Sequence, residues 1–83
     1  MNYVTAVVMQ FTAKNAPRVT IKARGKFISK AVDIAEVATK RFLNEMPISV
    51  TAVRINSEDF VNREGRNVRV SVIEIELTKT AQI

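Results

Sequence analysis

The chain has 83 residues, 13 of them Lys or Arg and 8 Asp or Glu, for a formal charge of +5 and a pI near 10.1. It has no cysteine and no histidine, which excludes disulfides, thiolate metal sites, thiol nucleophiles and the commonest general base. The apolar share of 47% is that of a globular protein, not of a disordered one.

The length fits one domain, residues 1–83, with a core small enough that a partner subunit is expected. No apolar run approaches the roughly 18 residues of a membrane span. No secretion signal is visible at the N-terminus, so a cytoplasmic protein is the expectation. The charge is unevenly spread. Residues 1–32 carry six basic residues and no acidic one, whereas residues 33–83 carry seven basic and eight acidic. One end of the molecule is a positive field, and nucleic acid is the commonest target of such a field.

In chain order, Tyr3, Val4, Val7, Val8 and Phe11 recur at helical spacing, which predicts an amphipathic helix over 2–14, with Asn2 as its cap. Asn15-Ala16-Pro17 ends it. Val19, Ile21 and Ala23 then alternate with Arg18, Thr20, Lys22 and Arg24, a strand with one apolar and one basic face. Gly25 breaks it. A second helix is predicted over about 27–44, with Ile28, Ala31, Val32, Ala35, Ala38 and Phe42 as its core stripe. Glu36 and Lys40 form a favourable i,i+4 pair on its wet side. Ile34, Val37 and Arg41 lie off the stripe, a second strip suited to a subunit contact.

Met46-Pro47 closes that helix. Two long β segments follow, 48–61 and 67–79, around a turn in which Gly65 takes the positive φ of a tight hairpin. Both segments change parity: Ile48, Val50 and Ala52 give way to Val53 and Ile55, and Val68, Val70 and Val72 to Ile73, Ile75 and Leu77. A one-residue shift moves side chains to the other face. The hairpin root is therefore expected to pack under the helices while its tip, with Arg54, Arg63, Arg66 and Arg69, leaves the core. Five paired residues would project roughly 16 Å. The order α-β-α-β-β lacks a strand before the first helix, which a crossover unit would supply, and leaves one edge of the strand at 17–24 uncovered.

Arg24-Gly25-Lys26 opens the second helix, where free backbone N–H groups and the positive dipole end suit an anion. The plain alternative is a strand-to-helix turn with solvated charges. A nucleotide P-loop is excluded, because Thr20 and Phe27 stand where that motif needs glycine and Ser or Thr. Hairpin arginines suit a narrow groove, or else merely discourage edge pairing. Together, turn and ribbon favour an extended polyanion. The close carboxylate pairs, Asp33/Glu36 and Glu74/Glu76, lie on the wet faces of packed elements, with no His or Cys beside them. Neither an enzyme nor a metal or cofactor site is expected.

The stretch from Ile21 to Asp33, Ile-Lys-Ala-Arg-Gly-Lys-Phe-Ile-Ser-Lys-Ala-Val-Asp, closely resembles the Alba family of archaeal chromatin and RNA-binding proteins, which has relatives in eukaryotic RNase P and RNase MRP. The match continues at Met1-Asn2-Tyr3-Val4, Arg41-Phe42-Leu43, Glu64-Gly65-Arg66 and Val70 to Ile75. The resemblance implies an α+β two-layer sandwich, two helices on a mixed sheet, in the order β-α-β-α-β-β with the first strand missing here and a long protruding β-hairpin. It implies a homodimer that binds duplex DNA and RNA without sequence preference, associated with the chromosome and able to assemble further. Lys22, Arg24, Gly25, Lys26 and Lys30 would lie at the phosphate backbone, and Arg63, Arg66 and Arg69 in the minor groove. Arg41 and Phe42 would contact a neighbouring dimer. Some family members acetylate a lysine in a loop before the residues matching Met1 to Tyr3, and no residue here matches that lysine. A mainly RNA-directed module, such as an RNase P-type subunit or an RNA chaperone, is the alternative. A protein-interaction module with a basic surface is a third reading. Neither a membrane nor a small-molecule substrate is expected.

Overall fold

The computed structural model describes residues 3–42, excepting the side chain of Phe42, and residues 47–79. Helix α1 spans Tyr3–Thr12 and strand β1 spans Arg18–Arg24. A 3-10 turn at Gly25–Phe27 leads into α2, Ile28–Val37, which continues as a π-helical turn over Ala38–Phe42. Strands β2, Ile48–Val61, and β3, Asn67–Lys79, form the hairpin. The expected cap Asn2 and the expected end of the second helix at residue 44 lie outside the described residues.

The sheet order is β1-β3-β2, and both pairings are antiparallel. The expectation of two helices on one sheet is met, but the sheet is not mixed among the described residues. A parallel neighbour would have to pair along the outer edge of β1 or of β2, and no described residue does so.

The core forms where the helices cover β1 and β3. Phe11, Ala38 and Leu77 are almost fully buried, joined by Val7, Ala31, Ala35, Ile73 and Ile75. Three alanines, Ala31 and Ala35 on α2 and Ala38 at the start of its π-helical continuation, let the helix approach the sheet closely, so large side chains come from the sheet and α1. Two helical residues depart from expectation. Tyr3 and Val32 are exposed, while Ile34 packs against the core. At about 100° per residue, the centre of the Ala31-Ala35-Ala38 stripe lies closer to Ile34 than to Val32. The turn after α1 carries Asn15 at φ 53°, and its side chain accepts a 2.7 Å hydrogen bond from Lys79 Nζ, pinning the helix end to β3.

The parity changes resolve differently in the two strands. In β2 the register shifts between Val50 and Ala52, so Thr51 is a bulge that absorbs the extra residue. Val50, Val53 and Ile55 therefore stay on the core face, opposite Leu77, Ile75 and Ile73. In β3 no bulge intervenes, and Val68, Val70 and Val72 face away from Ile73, Ile75 and Leu77. Beyond the pair Asn56–Val72 the hairpin continues through the five pairs from Ser57–Ser71 to Val61–Asn67. At about 3.3 Å per residue this projects roughly 16 Å, in a molecule 54 Å long and 19 Å thin.

Candidate nucleic-acid interface

The alternation along β1 turns Arg18, Lys22 and Arg24 to solvent while Val19, Ile21 and Ala23 are half-buried. The strand stops at Gly25, whose φ of +61° belongs to the left-handed region that glycine enters without a Cβ penalty. Space is not the constraint there, since a Cβ would meet Val70 Cγ1 at an ordinary 3.6 Å. No side chain caps the 3-10 turn or α2, so the first amides of the helix have no side-chain acceptor. Lys26 and Lys30 are exposed, each with its ammonium 5.5 Å from a ring centroid, of Phe27 and Tyr3 respectively.

The remaining basic candidates divide by their acidic partners. Arg24 Nη1 lies 3.0 Å from Glu58 Oε1 on β2, Lys22 Nζ lies 3.7 Å from Glu74, and Arg69 Nε lies 3.1 Å from Asp59 across the hairpin. Arg54, expected with the tip arginines, is bonded instead to Glu74 at 3.3 Å and Glu76 at 3.4 Å on the face of the sheet away from the helices. Those bonds raise its pKa, the hydrogen bond it donates to Glu74 being the largest cause. Arg54 therefore belongs to a charge ladder with Lys22, not to the tip.

The tip itself is fixed by Asn62, whose Oδ1 accepts from the amides of Glu64 at 2.9 Å and Arg66 at 3.0 Å. Gly65, at φ +80°, supplies the expected positive φ. This rigid loop presents Arg63 and Arg66 to solvent, and among the described residues neither guanidinium has an ion pair. At about 3.3 Å per residue, Arg63 stands roughly 16 Å along the strand from Glu58. The structure thus brings Arg24, Gly25, Lys26 and Lys30 together at one turn. Glu58 links that turn to the middle of the hairpin, and two further arginines lie beyond it. Arg41 is exposed on the π-helical turn, while the side chain of Phe42 lies outside the described residues.

Sequence reasoning missed the acidic partners Glu58 and Asp59, because cross-strand contacts depend on register and on the bulge at Thr51. It also assigned Tyr3 to the core stripe, whereas the ring stands beside Lys30. Among the described residues, no group of three or more His, Cys, Asp or Glu is placed to hold a metal ion, and no helix is long and apolar enough to cross a membrane.

Fold and surface together define a small basic α+β protein with a charged β-ribbon. The family model described as Alba matches residues 1–57. A protein named DNA/RNA-binding protein Alba from Methanococcus maripaludis is 44% identical over 79 residues, covering 95% of this chain and 86% of the relative. One of the same name from Nanoarchaeum equitans is 51% identical over 79 residues, covering 94% and 86%. The solved structure of Alba from Thermoplasma volcanium superposes with a TM-score of 0.83 at 44% identity, covering 95% of this chain and 88% of that one. The chain belongs to the Alba family. The expectation of a non-enzymatic protein agrees with the family, whose members named here are DNA/RNA-binding proteins by name.

Proposed function

We propose that this single-domain protein binds DNA and RNA through their phosphate backbones, without reading base sequence, as a homodimer associated with the chromosome. The observation that carries the reading is the Arg24-Gly25-Lys26 turn, with a helix start that no side chain caps and Lys30 one helical turn on. The names of the relatives support the ligand class. Lys22, Arg24, Lys26 and Lys30 contact phosphates around the backbone of Gly25. Arg63, Arg66 and Arg69 enter an adjacent minor groove, whose roughly 6 Å width admits side chains but not a whole ribbon.

Dimerisation is supported by an apolar strip on the core face of the edge strand β2. Val50, Val53 and Ile55 share that face, and Val53 and Ile55 are 56% and 81% exposed. Isolated exposed apolar residues are common, but a row of them along a sheet edge marks a contact surface. Arg41 and Phe42 make the contact between neighbouring dimers.

Replacing Arg24 and Lys26 together by alanine tests the reading. Binding to random duplex weakens by at least about tenfold at low salt, with each lost charge lowering the salt slope by about one unit, and the melting temperature holds. Undiminished affinity in a folded double variant would place the binding surface elsewhere.

A further inference from the structure

The hairpin carries a ring that the fold does not bury. Phe60 is 46% exposed, on the stretch of ribbon beyond Asn56–Val72 that contributes nothing to the core cluster. Aromatic side chains have the most to gain from burial. The register partner of Phe60 is the half-buried Val68, and half-buried Val70 follows on the same face, opposite Glu58. A cross-strand pair of ring and valine stiffens a ribbon, yet it leaves nearly half of this ring in solvent.

The charges on that face indicate what meets it. Glu58, two residues before Phe60 and therefore on the same face, holds Arg24 at 3.0 Å. The basic turn and the ring thus lie on one side of the ribbon, with Glu58 about 7 Å from Phe60 along the strand. Toward the tip, the amide of Asn62 donates to the carbonyl of Arg66 at 2.9 Å and closes the ribbon. Alternation along Arg66, Val68 and Val70 puts Arg66 on this face as well, about 7 Å beyond the Phe60–Val68 pair. A second copy of this chain would bring like charges against Arg24 and Arg66. A duplex brings phosphates to both and, between them, base steps roughly 3.4 Å apart.

Proteins that bind the minor groove insert apolar side chains between base steps, partly unstack them and kink the duplex toward the major groove by about 20–90°. Such a kink opens the groove, whose resting width of roughly 6 Å keeps a ribbon outside. We infer that Phe60 is a wedge of this kind, entering a base step from the minor groove and bending the DNA around the hairpin. The ring meets the faces of bases and reads no sequence. The inference rests on the nucleic-acid reading above and deepens it: charge attracts the duplex, and Phe60 deforms it.

The test uses a random duplex of about 20 base pairs with a donor and an acceptor dye at its ends, saturated with wild-type chain, Phe60→Thr or Phe60→Leu. A second duplex carries 2-aminopurine at several adenines to report unstacking. Threonine keeps the β-branched preference for a strand but supplies no wedge, whereas leucine is itself a wedge residue. Thermal melts and sedimentation without DNA accompany each variant.

The wild type and Phe60→Leu shorten the end-to-end distance and raise 2-aminopurine emission. Phe60→Thr is folded and binds, but leaves the duplex straight and its emission unchanged. A duplex left straight by bound wild type, or bent equally by Phe60→Thr, overturns the inference while leaving binding intact. Unfolding of Phe60→Thr would assign the ring to packing, and a smaller assembly without DNA would assign it to a contact between copies; either result overturns it. A wild-type chain that binds no duplex overturns the nucleic-acid reading itself, and this inference with it.

Discussion

Arg24 and Glu58 lie 34 residues apart in sequence, and their side chains meet at 3.0 Å, tying the basic turn to the middle of the hairpin. The pair is solvent-exposed on both sides, so it contributes no more than about 1 kcal/mol to stability. If Arg24 holds a phosphate, as proposed, the pair bears on binding, because Glu58 occupies on Arg24 the position a phosphate oxygen would take. Glu58→Gln should raise affinity for duplex about two- to fivefold at low salt, the equivalent of a typical exposed ion pair, with the melting point little changed. Anisotropy titration at fixed salt checks this. Equal or weaker binding by Glu58→Gln would mean that Arg24 does not exchange partners.

The apolar strip on β2 gives a second expectation. Ile55 is the most exposed of its residues and pairs with buried Ile73, so its side chain points past the edge of the helical layer. Ile55→Asp should convert a dimer into a monomer of unchanged helix content, measured by sedimentation equilibrium and circular dichroism. Because dimerisation stabilises the folded subunit by mass action, the wild-type melting point should rise with protein concentration and that of the variant should not. A monomeric wild type, or a variant that stays dimeric, would remove β2 from the interface.

These elements differ in how far they could be read from the residues alone. The hairpin strands are found at 48–61 and 67–79 as expected, because long runs of β-branched residues on either side of Arg63-Glu64-Gly65-Arg66 leave little ambiguity. The basic turn was legible for a similar reason: alternation along Arg18–Arg24 ends at a glycine. The bulge at Thr51 was not legible. A change of parity is the same pattern whether side chains switch faces or an extra residue is inserted, and only the partner strand decides. That one residue also determines where Arg54 points and which carboxylates it meets. Tyr3 and Val32 were misplaced because helical periodicity defines an apolar stripe about 100° wide or more, while burial depends on which part of the stripe the sheet covers.

Glu76 gives the fold an acid-sensitive contact. Partial burial opposes its ionisation, but hydrogen bonds from Arg54 and Thr51 outweigh this and hold its carboxyl below the ordinary value of 4.5. A carboxyl with a lower pKa in the folded than in the unfolded state stabilises the fold when ionised. That contribution is complete above the unfolded value and is lost as pH falls through the folded one. The melting temperature should therefore be insensitive to Glu76 near neutral pH and fall below about pH 4.5. Glu76→Gln should make that acid limb shallower, in melts recorded from pH 7 to pH 3 at constant ionic strength. An equally steep limb in the variant would assign acid sensitivity to other carboxylates.

The hairpin tip should separate binding from stability. Beyond Asn56–Val72 the ribbon carries no member of the buried core. Replacing residues 62–67 by a short Asn-Gly turn should leave the melting point nearly unchanged. Affinity for duplex should drop, and any preference for A-tracts, where the minor groove is narrow and its potential most negative, should vanish. Arg24 and Lys26 should still give residual, salt-sensitive binding. Unfolding of the shortened chain would assign the tip to the core, and undiminished affinity would leave Arg63 and Arg66 as solvated charges.

Sequence-independent attraction between a positive surface and phosphates is measured most directly by the salt dependence of duplex binding. If a dimer makes about six to ten phosphate contacts, log K against log salt for a random duplex falls with a slope of about −5 to −9, and duplexes of unrelated sequence give the same line. A slope near zero, or a large preference for one duplex sequence, would contradict it.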